Sequence, residues 1–242
     1  MLNPDLDKQQ LAREFAVDGR VRIDDILDPA LAERVRDACL NSVPFEYVSH
    51  VDGENIVIPA ESMATMVPAD AKALQNKIVA AASKGVGFFY CGYMMDRAHT
   101  NFDNEDMRLA HSMFDLLNSE EMLALINEIT GRDDMLSAEA QFTRYSAGQF
   151  LTRHSDNLAS DTRRIAYVMA FSKRWHPDWG GLLHFYDDDG TPRDAWIPSF
   201  NSMVIFDVRH VHSVSYVTPF AAEQRLSLTG WFRSTPQEPA RT

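Results

Sequence analysis

Cysteine is scarce in this chain: Cys39 and Cys91 are the only two among 242 residues. Two thiols cannot build a disulfide framework or a zinc knuckle, and they are expected to be buried free thiols in a reducing compartment. Positive charge is also short, with 23 Lys and Arg against 35 Asp and Glu and a formal net charge of −12. Binding to a phosphate backbone is driven by clustered Lys and Arg, so no nucleic-acid partner is expected. No apolar run reaches the roughly 18 residues that suggest a membrane span. The opening M-L-N-P-D-L-D-K-Q-Q has neither a basic nor an apolar leader segment. The expectation is a cytoplasmic protein without a membrane partner. Repeats and low-complexity tracts are lacking, which excludes solenoids.

What is present is an ordinary apolar share of 45%, enough for a sizeable core. Helical periodicity and caps predict helices over Lys8–Val17 (stopped by Gly19), Asp28–Leu40, Ala69–Ala82, Asp103–Leu117 and Glu120–Ile129 (capped by Ser119, stopped by Gly131). Between them, Arg20–Ile26 alternates like a strand, and Asp52-Gly53 turns a hairpin over 45–58. Pro59 to Pro68 reads as an irregular, methionine-bearing lid or crossing loop, and Val86–Met94 as an aromatic-rich strand before a polar loop at 96–104. From Leu136 the character changes to about eight short strands, near 138–145, 149–153, 164–171, 181–186, 195–197, 203–208, 212–217 and 225–233. The fold class is therefore mainly β with N-terminal helices (α+β), with a jelly-roll core.

H-x-D occurs three times, at His50–Asp52, His154–Asp156 and His176–Asp178. On a strand, residues i and i+2 point to one side, so each pair could offer an imidazole and a carboxylate to the same ion. The first copy falls at a hairpin tip. The third carries Pro177, which does not suit a paired central strand. Only the second follows a strand-like run, and it has a further histidine, His212, in the downstream strand region. Two His and one carboxylate make up the donor set of a non-haem iron(II) centre with open positions. Arg225, Ser227, Thr229 and Trp231 then share one strand face. A fixed cation followed by two hydroxyls suits a dicarboxylate.

Four stretches carry a resemblance: R-Y-S-A-G-Q-F-L-T-R-H-S-D-N (144–157), W-G-G-L-L-H-F-Y (179–186), H-S-V-S-Y-V (212–217) and R-L-S-L-T-G-W (225–231). In this order and spacing they resemble the catalytic core of the iron(II)- and 2-oxoglutarate-dependent dioxygenases, and more narrowly the prolyl 4-hydroxylase-like branch. The resemblance covers about 136–233 and is loose before that. It implies a double-stranded β-helix core at 136–233, a helical and extended-sheet part at 1–135 and a tail at 234–242, all in one catalytic domain over 1–242.

The resemblance further implies that His154, Asp156 and His212 hold Fe(II). The cosubstrate 2-oxoglutarate would be gripped by Arg225, with Ser227, Thr229 and Tyr145 beside it. Dioxygen would be the oxidant and ascorbate (vitamin C) the reductant. The expected reaction hydroxylates an unactivated C–H, a prolyl residue in a peptide or protein, and releases succinate and carbon dioxide. Asp156 favours hydroxylation, because related halogenases lack this carboxylate. Met169 or Ala170 stands where many members of the branch have a second aromatic, which shifts recognition of the distal carboxylate toward Arg225.

Three alternatives stay open. A hydroxylase of a small free molecule would use Arg163 or Arg164 as its cation. A cupin-type metal enzyme without a cosubstrate would need no Arg225. A non-enzymatic binding protein on a degenerate site fits poorly with an intact triad. Substrate choice is expected in the loops at 52–66, 157–163 and 187–194, and no motif speaks to oligomeric state.

Overall fold

The computed structural model describes residues 1–95, 102–157 and 162–237. The loops expected at 96–104 and 157–163 and the tail at 234–242 lie partly outside the described residues, as does His99. The first part contains α1 (Lys8–Asp18), β1 (Arg20–Ile23), α2 (Pro29–Ser42), β2 (Glu46–Val51), β3 (Glu54–Ile58), α3 (Ala60–Ala64), α4 (Pro68–Ala82), β4 (Phe88–Met95), α5 (Glu105–Leu117) and α6 (Glu120–Thr130). The second contains β5 (Ser137–Ala138), β6 (Ala140–Tyr145), β7 (Phe150–His154), β8 (Arg163–Ala170), a 3-10 turn at Pro177–Trp179, β9 (Leu183–Tyr186), β10 (Pro192–Trp196), β11 (Ser202–Asp207), β12 (His212–Val214) and β13 (Arg225–Arg233).

Local chemistry sets most boundaries. Asp7 and Asp28 cap α1 and α2 by accepting from the Gln10 and Leu31 amides, and Ser119 caps α6 through the Met122 amide. Gly19 and Gly131 end their helices at φ 68° and 67°, left-handed values that cost a β-carbon-free residue nothing. Three expectations change. The stretch expected to be irregular at Pro59–Pro68 holds the short helix α3, started by Pro59 at its N-cap. The expected strand Arg20–Ile26 ends at Ile23, because Asp25 turns at φ 51°. The strand expected at 138–145 is split, with Asn118 bonding both backbone groups of Ala138 at 2.8 and 3.1 Å.

All described strands belong to one antiparallel sheet in the order β1-β11-β8-β13-β6-β4-β7-β12-β9-β10, with the β2–β3 hairpin attached to β4 and β5 to β13. Pairing of Phe88 and Phe89 with Leu151 and Phe150 joins the long run of strands to the shorter β7-β12-β9-β10 run. The sheet thereby curls into a half-barrel, the open form of a double-stranded β-helix. The helices pack on the convex side, where Phe142, Phe171, Met203, Ile205, Leu228 and Phe232 are wholly buried with Ile23, Leu117 and Ile126. Each such side chain contributes about 1.5–3 kcal/mol on burial, so the helices hold the curl from outside and leave the concave side for chemistry. Cys39 and Cys91 are free and buried. No helix among the described residues is long and apolar enough to cross a membrane.

Candidate functional site

The concave side holds a cavity of about 540 Å³ whose lining includes His154, Asp156, His212, Tyr145, Arg225 and Thr229. His154 ends β7 and His212 begins β12, and the two are directly paired across the antiparallel ladder. Asp156 lies just past the end of β7. The three side chains offer ligand atoms that all fall within 4.8 Å of one another. Asp156 Oδ1 is 3.6 Å from His154 Nε2 and its Oδ2 is 3.5 Å from His212 Nε2. The other two H-x-D copies join no such cluster: His50 sits on β2 against Asn55 Oδ1 at 2.8 Å, and His176 caps the 3-10 turn. His50 was expected at a loop tip, but the turn residues are Asp52 and Gly53, at φ 54° and 88°.

Backbone carbonyls orient both imidazoles. His154 Nδ1 is 2.9 Å from the Thr152 carbonyl and His212 Nδ1 is 3.0 Å from that of His210. Each Nδ1 therefore donates, and each Nε2 turns a lone pair toward Asp156, the arrangement that metal-binding histidines use. Burial first, and the neighbouring His154 next, push His212 down to about 4, with Asp156 opposing them. The ring is thus neutral and able to donate its lone pair at ordinary pH. Two imidazoles and one carboxylate on one side of an otherwise open space fit a divalent iron-type ion.

The far end of the cavity is built differently. Arg225 is 1% exposed, and its Nε has no hydrogen-bond partner among the described residues. Its Cζ lies 5.3 Å from the ring centre of Tyr145. Burial draws its pKa down, partly offset by Tyr145, and no carboxylate pairs with it among the described residues. Burial likewise raises Tyr145, whose ring stacks on Tyr90 at 5.3 Å. Gly181 makes room for this cation: at φ 62° it has no side chain, and a Cβ there would stand 3.1 Å from Arg225 Cδ. Gly180 is more constrained still, because a Cβ there would overlap the Tyr216 carbonyl.

Thr229 lines the cavity as expected, while Ser227 is fully buried and its Oγ has no partner among the described residues. Arg163 and Arg164, the cations expected for a small free substrate, separate by strand alternation. Arg163 lines the cavity with its guanidinium 3.7 Å over Trp231, while Arg164 turns to the other face and bonds Asp134 at 3.1 Å. Arg164 is therefore not a cation of this cavity. His210 lies behind the site, its Nε2 2.7 Å from the Asp18 carbonyl. Tyr90, Gln141 and Thr143 line the cavity without having been expected there. The aromatic alternation of Phe88 and Tyr90 was the signal for Tyr90, and the shared strand face with Tyr145 was the signal for Gln141 and Thr143. A larger surface depression of about 890 Å³, around Asp18, Asp187 and Arg193, contains no member of the triad.

Residues 140–233 match the model of the 2OG-Fe(II) oxygenase superfamily. The chain is 33% identical over 120 residues to the prolyl 3-hydroxylase OGFOD1 of Mus musculus, covering 47% of this chain and 22% of that protein. It is 31% identical over 150 residues to the prolyl 3,4-dihydroxylase OGFOD1 of Ostreococcus tauri, covering 57% of this chain and 28% of that protein. The match thus spans about a quarter of these relatives. Among solved structures, a Pseudomonas putida prolyl-4-hydroxylase superposes with TM-score 0.61 at 19% identity, covering 93% of this chain and 98% of the other. A Trichoplax adhaerens prolyl hydroxylase, solved with a hypoxia inducible factor peptide, gives 0.61 at 17% identity, with coverage of 94% and 89%. At these identities the structural likeness speaks for the fold.

Proposed function

Because the chain belongs to the 2OG-Fe(II) oxygenase superfamily, in its prolyl hydroxylase-like branch, we propose that it hydroxylates a prolyl residue of a peptide or protein, using iron(II), 2-oxoglutarate and dioxygen. One observation carries this reading above the others: a His-Asp-His cluster and a buried cation with no carboxylate partner among the described residues line the same cavity. A cupin-type enzyme without a cosubstrate would have no use for that cation.

His154, Asp156 and His212 would hold iron(II), and Arg225 would bind the distal carboxylate of 2-oxoglutarate. Iron(II) and 2-oxoglutarate, when bound, would activate dioxygen for hydroxylation of an unactivated C–H, one oxygen atom leaving in succinate as carbon dioxide is released and the other in the product. The protein's own part is positioning. The Thr152 and His210 carbonyls fix the two imidazoles, and Asp156 adds one negative charge to the donor set. The Arg225 guanidinium offers a planar fork that cannot lose its charge, so it can pair bidentately with a carboxylate. The Thr229 and Tyr145 hydroxyls would flank that carboxylate, since both residues line the cavity with Arg225. Leu183, Val214, Phe206 and Val168 make part of the remaining wall apolar, which limits water beside the reacting carbon.

The prolyl substrate rests on the relatives named as prolyl hydroxylases. It also suits an open mouth beside the β2–β3 hairpin, where His50, Asn55 and Phe88 line the rim. A proline-containing chain is already restricted in φ and is ordered there at little cost. Cytoplasmic residence suits the two buried free thiols. The test is succinate release from 2-oxoglutarate, with iron(II) and ascorbate, in the presence of proline-containing peptides or of free amino acids and small acids. Peptides are expected to raise release above the peptide-free background, with a mass gain of one oxygen on proline. Stimulation by small acids alone would overturn the peptidyl reading.

A further inference from the structure

The cavity at the triad does not stop at its mouth. A second depression of about 580 Å³ shares Tyr90, Gln141, Arg163 and Trp231 with it and runs on across β4, β2 and β3. Register explains the apolar part of this stretch, which Glu46 and Glu139 border. Val48 pairs with Val57 on one side and Tyr90 on the other, and Met94 pairs with Gln141. Paired residues share a face, so these side chains extend the cavity floor, while Ser49 and Cys91 on the other face are buried. Val57 is 58% and Met94 64% exposed. At Gly92 the floor is closely packed: a Cβ there would stand 3.1 Å from Val48 Cγ2 and 3.3 Å from Tyr90 Cε2. Among the described residues these apolar side chains, with Glu46 and Glu139 beside them in the lining, are exposed and continuous with the reaction cavity, as suits a surface for something that also enters that cavity.

We infer that the polypeptide substrate continues from the metal site along this groove and seats one large apolar side chain among Val48, Val57 and Met94. The inference rests on the reading of the site given above and adds a specificity element to it. Spacing sets the position of that side chain. From Gln141 on β6 to Val57 on β3 the sheet crosses three strand spacings, about 14 Å, which about four extended residues span. Since the reacting proline lies at the triad, beyond Gln141, the recognised residue is about four or more positions from it, and it is Leu, Met or Phe by size and polarity. A free amino acid would leave this groove empty.

Labelled peptides with one proline, and a lone Leu, Lys, Glu or Gly moved along the flanking positions, test this by fluorescence anisotropy with anaerobic iron(II) and 2-oxoglutarate. Leu at one position, about four or more from proline, is expected to tighten binding by about tenfold over Gly, the worth of burying one such side chain. Val57→Glu and Met94→Glu lie at exposed positions that leave the core intact, and both are expected to remove the preference. Their peptide-free succinate release should equal that of the parent protein. A flat positional profile, or a preference that survives in both variants, overturns the groove assignment. So does a dimer of this chain that dissociates in Met94→Glu, which would give the face to a second copy. Failure of the parent protein to consume 2-oxoglutarate at all would overturn the reading of the site and this inference with it.

Discussion

The two ends of the reaction cavity are satisfied in opposite ways when no ligand is bound. At the triad, each imidazole Nδ1 has a backbone carbonyl, and Asp156 lies within 3.6 Å of both Nε2 atoms. Nothing there is left waiting except the open side of the cluster. At the other end, Arg225 is buried against Tyr145 and Gly181 with its Nε unbonded. Removing a cation from water without an anionic partner costs several kcal/mol. One end is thus a set of lone pairs aimed by the backbone. The other carries a penalty that a bound carboxylate would relieve.

Removing a ligand at the first end should have the largest effect. Asp156→Ala and His212→Ala are each expected to abolish stoichiometric iron binding and to lower 2-oxoglutarate turnover beyond the about 10–100-fold typical of second-layer partners. Metal analysis with circular dichroism checks this, since the fold should persist. At the second end, Arg225→Ala should weaken 2-oxoglutarate binding by about 2–5 kcal/mol, and Arg225→Lys should recover part of it, keeping charge but not the fork. Stability separates the ends further. Arg225→Met should leave the ligand-free protein as stable as the parent or more so, while added 2-oxoglutarate stabilises only the parent. A strongly destabilised Arg225→Met protein would mean that the Tyr145 ring already satisfies the cation and that the two ends do not differ.

A smaller effect should appear in the pH dependence of the metal-free protein. His212 is held at about 4, below its ordinary 6.5, chiefly by burial. Between these values the unfolded chain binds the proton and the folded chain does not, so stability falls as pH drops through this window. The expected loss between about pH 7 and about pH 5 is on the order of 1–2 kcal/mol. Urea midpoints measure it, and His212→Gln should flatten that part of the curve. An unchanged slope in the variant would assign the acid sensitivity elsewhere.

Much of this arrangement was legible because its signals are local. Strand alternation placed Arg225 and Thr229 on one face, and Gly19, Gly131, Asp28 and Ser119 marked helix ends through backbone conformation and capping that each residue imposes on itself. What escaped depends on which face of an element meets another. Arg163 and Arg164 are neighbours with the same chemistry, yet one lines the cavity and the other bonds Asp134, because a one-residue step reverses the side of a strand. Tyr90 became a cavity residue only through the pairing of β4 with β6, a contact made across 40 or more residues of chain. The helix at Ala60–Ala64 is too short for a periodic signal.

The smallest expected effect is also the one that checks the choice among the three H-x-D copies. His50 lines the same cavity as the triad, so proximity alone does not rule it out as a ligand. Its surroundings do. Its Nδ1 meets the Asn55 side chain, itself exposed, at 2.8 Å, where the triad histidines are held by backbone carbonyls. Its motif partner, Asp52, sits in the hairpin turn bonded to Lys77 at 2.8 Å. An imidazole so placed can touch a substrate at the rim but has no carboxylate to share an ion with. His50→Ala should therefore keep full iron stoichiometry and change peptide-free 2-oxoglutarate turnover by less than about twofold, a surface-substitution effect within about 0.5 kcal/mol. Any larger change should be confined to the KM for peptide. Loss of iron in His50→Ala, with retention in His154→Ala, would move the metal to the hairpin and remove the distinction between a backbone-aimed triad and the rim around it.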